Sequence, residues 1–358
     1  MNNEQWIDNV YRVRGTVPSR FDALRLDKNE RTTMFGASFF DELILKLRHE
    51  HLTAYPETEP LYDQLAGFLG VDRNQVVVTA GSDAGIKNCF ELTVEPGSEV
   101  ITLSPTFAMV DIYAELYRAR QIKIGYNSDL TLQLEHLLES INEKSALIII
   151  ANPNSPTGTF ISEDNIRLIV NKARQSGTVV LVDEAYFGFC KHTVLPLVDE
   201  YDNLVVARTF SKSFGLAGCR VGYLVAQLKL AQRLYRLRPM YEVNSFGVLA
   251  AMTILEHPEL VEAYLIDTEN GRAYIKQSLD TLGLKYIDTK TNFIHIDFSE
   301  DRNDIEKLFI SHKILVRGGP GVSGYENYLR ISLGPVESMM PVIDILNSIK
   351  QVTGNGLV

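Results

Sequence analysis

Lys212 stands in the string Arg208-Thr209-Phe210-Ser211-Lys212-Ser213-Phe214-Gly215-Leu216-Ala217-Gly218-Cys219-Arg220. Immediately before it, Leu204-Val205-Val206-Ala207 reads as a buried strand, so the amine arrives at a strand end among hydroxyls and glycines. A lysine is a nucleophile only once its ammonium has given up a proton, and this setting suits an amine that forms a Schiff base. Thr209, Ser211 and Arg220 add a polar surround suited to an anionic group beside that amine. A solvated lysine and arginine in a surface loop would produce the same string, so the neighbouring motifs decide its meaning.

Three further strings follow apolar runs in the same way. Gly81-Ser82-Asp83-Ala84-Gly85 comes after a strand ending at Thr79 and opens a helix. Free amides, a hydroxyl and the helix dipole suit a phosphate there. The same Ser82 and Asp83 would serve equally as ordinary helix caps. The spacing fits neither a dinucleotide glycine fingerprint nor a Walker loop. Asp183-Glu184-Ala185-Tyr186 follows Val179–Val182. A carboxylate at the end of a buried strand is costly unless it meets a positive partner, and a protonated pyridine nitrogen would be one. A plain capping aspartate is the alternative. Asn152-Pro153-Asn154-Ser155-Pro156-Thr157-Gly158 follows Leu147–Ile150, and its prolines and glycine fix a stiff turn whose polar side chains can aim at a ligand. Read structurally, it is a strand-to-helix turn with Thr159 or Ser162 capping the next helix.

The elements that must position these strings are short apolar runs alternating with helix-period segments from about residue 75 to 226. The runs are Val76–Val78, Val100–Leu103, Ile122–Ile124, Leu147–Ile150, Val179–Val182, Leu204–Val206 and Val221–Val225. Several are apolar throughout, as strands buried on both faces must be. Between them, Ala84–Leu92, Ala108–Tyr117, Leu132–Ile141 and Glu163–Arg174 carry helical periodicity. The pattern predicts an α/β fold with a mostly parallel sheet and helices on both faces. Ligands of such sheets gather at the C-terminal strand ends, where all four strings fall. Beyond residue 228, helical stretches (Leu228–Arg238, Gly247–Glu256, Leu260–Leu282) lead into a smaller α+β set. Its expected strands are Asn292–Asp297, Ile314–Arg317 and Tyr328–Ser332, closed by a helix over Pro341–Ile349. The expected division is an N-terminal arm with part of the small domain over 1–45, a large domain over 46–245 and a small domain over 246–358.

With 358 residues the chain has room for two cores. A formal net charge of −10 argues against nucleic acid or an anionic membrane as the main partner. No apolar run approaches the length of a membrane span. Met1–Trp6 shows neither the basic start nor the apolar core of a signal peptide. The three cysteines, Cys89, Cys190 and Cys219, have no metal-type spacing, and a cytoplasmic protein without metal is expected.

Together the strings resemble a fold-type I pyridoxal phosphate enzyme of the class I/II aminotransferases, in the aspartate aminotransferase superfamily. The resemblance is strongest to its histidinol-phosphate aminotransferase branch and runs from about Leu26 to Ile349. Asn-Pro-Asn-x-Pro-Thr-Gly, Asp-Glu-Ala-Tyr and Thr-x-Ser-Lys with a later Arg occur together in the family's order. It implies that Lys212 holds pyridoxal 5'-phosphate and shuttles a proton, and that Asp183 pairs with the pyridine nitrogen. Tyr186 and Asn154 would bond the phenolate oxygen, although relatives often carry the asparagine where Ser155 stands. Phe107, in Pro105-Thr106-Phe107, would stack on the ring. Ser82, Asp83, Thr209, Ser211 and Arg220 would hold the phosphate. Tyr55 would reach the phosphate of a neighbouring subunit, which implies a homodimer with shared sites. Arg330 would bind the substrate's carboxylate or phosphate, with Arg317 a second anion contact and Asn29 near the substrate.

Two departures bear on the substrate. Asp27-Lys28-Asn29-Glu30-Arg31-Thr32 replaces the branch's Asn-Glu-Asn-Pro string and adds the cation Arg31, and Glu242 stands where relatives often have asparagine. The leading expectation is an aminotransferase that passes an amino group from a donor, glutamate, to an oxo acid or phosphorylated oxo compound by a ping-pong route. A decarboxylase of a phosphorylated amino acid on the same scaffold is the alternative. A catalytically idle binding domain is the third, and it would be expected to lack Lys212 or Asp183.

Overall fold

The computed structural model describes Val10 and residues 19–353. Seven strands form the larger sheet in the spatial order Val76–Thr79, Gly222–Ala226, Leu204–Thr209, Val179–Asp183, Ser145–Ala151, Glu99–Leu103, Arg120–Ile124. Only Gly222–Ala226 runs against its two neighbours. The inner strands are buried along almost their whole length, which explains why their sequences are apolar on both faces. Every expected strand and helix of this region is present within a few residues. Helix Glu163–Gln175 begins at Ser162, whose Oγ accepts the Asn165 amide hydrogen at 3.4 Å, so Ser162 and not Thr159 is the cap.

Register brings the strand ends together. Asp183 lies beside Ala151 on one side and Ala207 on the other, so the Asn152 turn and the lysine loop flank it directly. Asp183 therefore ends the central strand of the sheet.

The second sheet is antiparallel, in the order Arg317–Gly318, Tyr328–Ser332, Phe293–Asp297, Tyr286–Ile287. The single strand expected over Ile314–Arg317 is in fact two. Ile314–Leu315 pairs in parallel with Leu24–Arg25, while Arg317–Gly318 pairs with Tyr328–Ser332. A run this short carries no periodicity that could reveal a change of partner. The last helix is Val336–Thr353, starting five residues before the Pro341 that was read as its first position. Pro341 lies inside it, at the expense of one backbone hydrogen bond.

The buried side chains of Leu26, Ile275, Leu279, Ile294, Ile331 and Met339 belong to one core beneath this small sheet. Helices Ala37–Lys46 and Ser245–Glu256 bury Phe39, Leu43, Val248 and Ile254 in the core of the larger sheet instead. Helix Pro258–Leu282 passes from one core to the other. Among the described residues no helix is long and apolar enough to cross a membrane.

Candidate active site

Asp183 is buried, and its Oδ1 has no hydrogen-bond partner among the described residues. Burial pushes its carboxyl up to about 7, against the pull of the Ala185 backbone hydrogen bond, with the Asp83 and Glu184 charges adding to the rise. An unpartnered buried carboxylate is expensive unless a positive donor meets it. A protonated ring nitrogen is such a donor.

Lys212 Nζ donates to the Lys28 carbonyl at 2.7 Å and lies 5.9 Å from the centre of the Tyr186 ring. Enclosure of the amine holds it below the ordinary lysine value, and the Arg330 charge acts in the same direction; Tyr186, Glu30 and Asp183 oppose them. Both depressing effects favour the free amine that a nucleophilic lysine needs. Tyr186 is buried, and its hydroxyl oxygen accepts a hydrogen from Asn29 Nδ2 at 2.8 Å. The Tyr186 hydrogen is thus left to donate elsewhere. Asn29 is itself fixed by Ser332, which accepts its amide hydrogen and donates to its Oδ1, both at 2.9 Å. Asn29 therefore stands behind Tyr186.

At the other end of the site, Gly81 and Gly222 form a cradle. A Cβ on Gly81 would come within 2.7 Å of Arg220 Nη2, and one on Gly222 would run into the Gly81-Ser82 backbone. Glycine at both positions lets the amides of the helix start, the Arg220 fork and the lysine loop approach one another. Arg220 Nη1 reaches Ser211 Oγ at 3.4 Å, and Thr209 Oγ1 donates to Ser211 Oγ at 3.0 Å. Ala80 precedes the helix with no side-chain cap, so Ser82 and Asp83 are not its caps. Asp83 Oδ1 instead accepts from the Tyr113 hydroxyl at 3.0 Å. Phe107 is 39% exposed in the loop that follows the neighbouring strand. An acceptor for a ring nitrogen, a phosphate cradle, an enclosed amine and an exposed aromatic ring together fit pyridoxal phosphate.

The Asn152–Gly158 turn divides its side chains. Asn154 faces inward: its Nδ2 donates to the Pro105 carbonyl at 3.0 Å and to Thr157 Oγ1 at 2.8 Å, while its Oδ1 accepts from Thr106 at 2.7 Å. Both amide hydrogens are committed, so a bond to a phenolate oxygen requires one of them to open. Ser155 faces the small sheet, where its Oγ accepts from Arg330 Nη1 at 3.1 Å.

Arg330 is buried, and its Nη2 donates to the Asp27 carbonyl at 2.8 Å while its Nε has no hydrogen-bond partner among the described residues. Arg317 is its direct cross-strand neighbour and is exposed, so both guanidinium stems leave the same face of the sheet. Arg31, the additional cation, lies 4.4 Å from the centre of the Phe35 ring and 4.0 Å from that of Tyr264. Glu242 accepts the Ala80 amide hydrogen at 3.0 Å, beside the phosphate cradle. Tyr55 is 72% exposed and stacks on Tyr241 at 4.0 Å between ring centres.

Sequence reasoning missed two features. Arg208 and Glu184 form a buried ion pair with 2.9 Å between Arg208 Nη2 and Glu184 Oε2, closed by Thr193 and covered by Phe187. It braces the two strand ends that carry Asp183 and Thr209, and such a pair is costly to break from one side only. The adjacent motif residues were the available signal. The carbonyls of Asp27 and Lys28 are the second feature, and backbone groups leave no signal in composition.

The sequence profile described as "Aminotransferase class I and II" matches residues 27–346. The chain belongs to that family. The histidinol-phosphate aminotransferase of Caldanaerobacter subterraneus subsp. tengcongensis is 34% identical over 310 residues, covering 86% of each chain. That of Brevibacillus brevis is 30% identical over 355 residues, covering 97% of this chain and 94% of the relative. The crystal structure of the Sinorhizobium meliloti histidinol-phosphate aminotransferase, in complex with pyridoxal-5'-phosphate, superposes with a TM-score of 0.83. It is 26% identical and covers 92% of each chain. This aminotransferase is thus similar to the histidinol-phosphate branch over almost its whole length. The curated relatives named here transfer amines; none is a decarboxylase.

Proposed function

We propose that this aminotransferase, with pyridoxal 5'-phosphate held at Lys212, exchanges an amino group between glutamate and a phosphorylated oxo compound of the histidinol-phosphate type. The observation that carries the reading is the Asp27-Lys28 segment. Its two successive carbonyls hold the Arg330 guanidinium and the Lys212 amine, which brings anion receptor and nucleophile into one site.

When bound, the cofactor supplies an electron sink for the bond broken at the substrate Cα. Asp183 Oδ1 holds the proton on the ring nitrogen. Tyr186 donates its free hydroxyl hydrogen to the phenolate oxygen, while Asn29 fixes its orientation. Lys212 Nζ would hold the cofactor and, once free, would move the proton taken from the substrate Cα. Phe107 covers one ring face, and the Ser82–Asp83 amides with Thr209, Ser211 and Arg220 take the phosphate. Asn154 can join Tyr186 at the phenolate oxygen by opening one bond of its turn. Arg330, with Arg317 across the sheet, receives the substrate's acid group. Two guanidiniums on one face suit a phosphate dianion as well as a carboxylate.

Both substrates of a ping-pong cycle use one site, which makes the donor half-reaction a direct test. Arg330→Lys keeps the charge but loses the two-pronged fork. It is expected to raise the KM for glutamate by about tenfold or more, with the resting absorbance of the bound cofactor unchanged. Equal reaction of glutamate with the variant would pass the role to Arg317.

The same reading makes the enzyme a homodimer. Exposed apolar side chains crowd helices Ala37–Lys46 and Glu50–Thr53 and the 240–246 segment, with Leu45 84%, Leu52 80% and Met240 72% exposed. Tyr55 belongs to this face, and a second copy covering it would place Tyr55 at the neighbour's phosphate. Mixing Tyr55→Phe chains with Lys212→Ala chains should then yield hybrid sites free of both lesions. Activity of the mixture above the sum of the separate variants is the expected result; strictly additive activity places each site within one subunit. A two-unit division and a reducing cytoplasm, which suits three free cysteines, complete the proposal.

A further inference from the structure

Two neighbouring side chains of the small sheet grip two successive residues of the Asn152–Gly158 turn. Arg330 Nη1 donates to Ser155 Oγ at 3.1 Å, and the Nε2 of His295 lies 2.8 Å from the Pro156 carbonyl. His295 and Arg330 are direct cross-strand partners, so their side chains leave the same face of the sheet. His295 is fully buried, and its Nδ1 has no hydrogen-bond partner among the described residues.

These contacts assign the tautomer. A carbonyl oxygen only accepts, so Nε2 carries the ring hydrogen. A second proton on Nδ1 would place a buried cation beside Arg330. Burial, reinforced by the Arg330 charge and opposed by the Pro156 carbonyl, holds the imidazole down to about 3. Burial and the Arg330 charge thus both favour the neutral ring.

We infer that His295 is a positioning residue for the substrate's acid group: its neutral ring fastens the small sheet to the Pro156 carbonyl and so fixes where Arg330 presents its guanidinium. The inference rests on the proposed role of Arg330. Among the described residues the Arg330 fork is otherwise hydrogen-bonded at its tips, by Ser155 and the Asp27 carbonyl, with the Phe293 ring 5.2 Å from its centre. Both tips become available to a substrate anion only if the strand that carries them stays in place. His295 supplies a bond to the turn that does not pass through Arg330 itself.

The test compares two amides of different reach. In His295→Gln the side-chain nitrogen occupies the place of Nε2 and can still donate to Pro156. In His295→Asn the amide matches Nδ1 and falls short of the carbonyl. Glutamate half-transamination should show a KM about tenfold higher in the Asn variant and within about threefold of the parent in the Gln variant. The rate at saturation, the cofactor affinity and the cofactor absorbance should be unchanged in both. Equal KM values for Asn and Gln overturn the inference, as does a loss confined to the saturated rate or to cofactor affinity. Arg330→Lys measured alongside separates the two readings. A raised KM there with a parent-like Asn variant rejects the role of His295 alone. An unchanged KM in Arg330→Lys rejects the anion role of Arg330, and the inference with it.

Discussion

A Lys212→Ala chain is expected to bind the cofactor through the phosphate cradle yet lose on the order of 10⁴-fold in the rate of amine transfer. Positioned proton transfer is worth about 10²–10⁴-fold in comparable sites, and no other lysine shares this position. Lys212 is the amine held at the strand end by the Lys28 carbonyl, and enclosure keeps it below the ordinary lysine value. A small exogenous amine should restore part of the rate, because it replaces the missing base without the backbone that places it. Borohydride reduction of the parent enzyme, followed by peptide mass mapping, should put the cofactor adduct on Lys212. An adduct on another lysine would move the reacting centre away from Asp183 and Tyr186 altogether.

Asp183→Ala should leave the cofactor bound but reduce the rate by on the order of 10²-fold or more, the usual consequence of removing one positioned charge from an enclosed site. A second measurement separates this electrostatic role from simple packing. In the cofactor-free protein burial pushes the Asp183 carboxyl up to about 7, against about 3.9 in an unfolded chain. Between those values the folded state holds a proton that the unfolded state has released. The unfolded state binds fewer protons, so stability falls as pH rises from about 4 to about 7. The full loss is on the order of 4 kcal/mol at about 1.4 kcal/mol per pH unit. Asp183→Asn, which cannot ionise, should remove that slope. Thermal melts of cofactor-free parent and variant at pH 5 and pH 8 read it directly. Parallel slopes would mean that the carboxylate finds a partner in solution, and the pairing with a ring nitrogen would lose its main support.

Other features were legible only after folding. Arg31 reads in the sequence as a spare cation near the substrate, yet its guanidinium lies between the Phe35 and Tyr264 rings. Glu242 reads as a departure at the substrate but accepts the Ala80 amide hydrogen just before the Gly81 helix. In both cases the residue type announced a charge, and its neighbours decided what that charge does. Asn29, expected near the substrate, also stands behind the Tyr186 hydroxyl, a partner that its string does not reveal.

The sequence by itself determined the larger sheet and the residues at its strand ends. Runs apolar on both faces have few alternatives to a buried parallel strand, and the short motif after each run inherits the strand's position. Asp183, Lys212, the Gly81 loop and the Asn152 turn were therefore readable from local strings a few residues long. The tertiary structure alone decided how the substrate end of the site is closed. Asp27 and Lys28 reach Arg330 and Lys212 through backbone carbonyls, which look the same in every residue. Leu24–Arg25 finds Ile314–Leu315, and His295 finds Pro156, across more than a hundred intervening residues. No local period encodes such pairings; they follow from the packing of the small sheet against the large one, and that arrangement sets where Arg330 stands relative to Lys212.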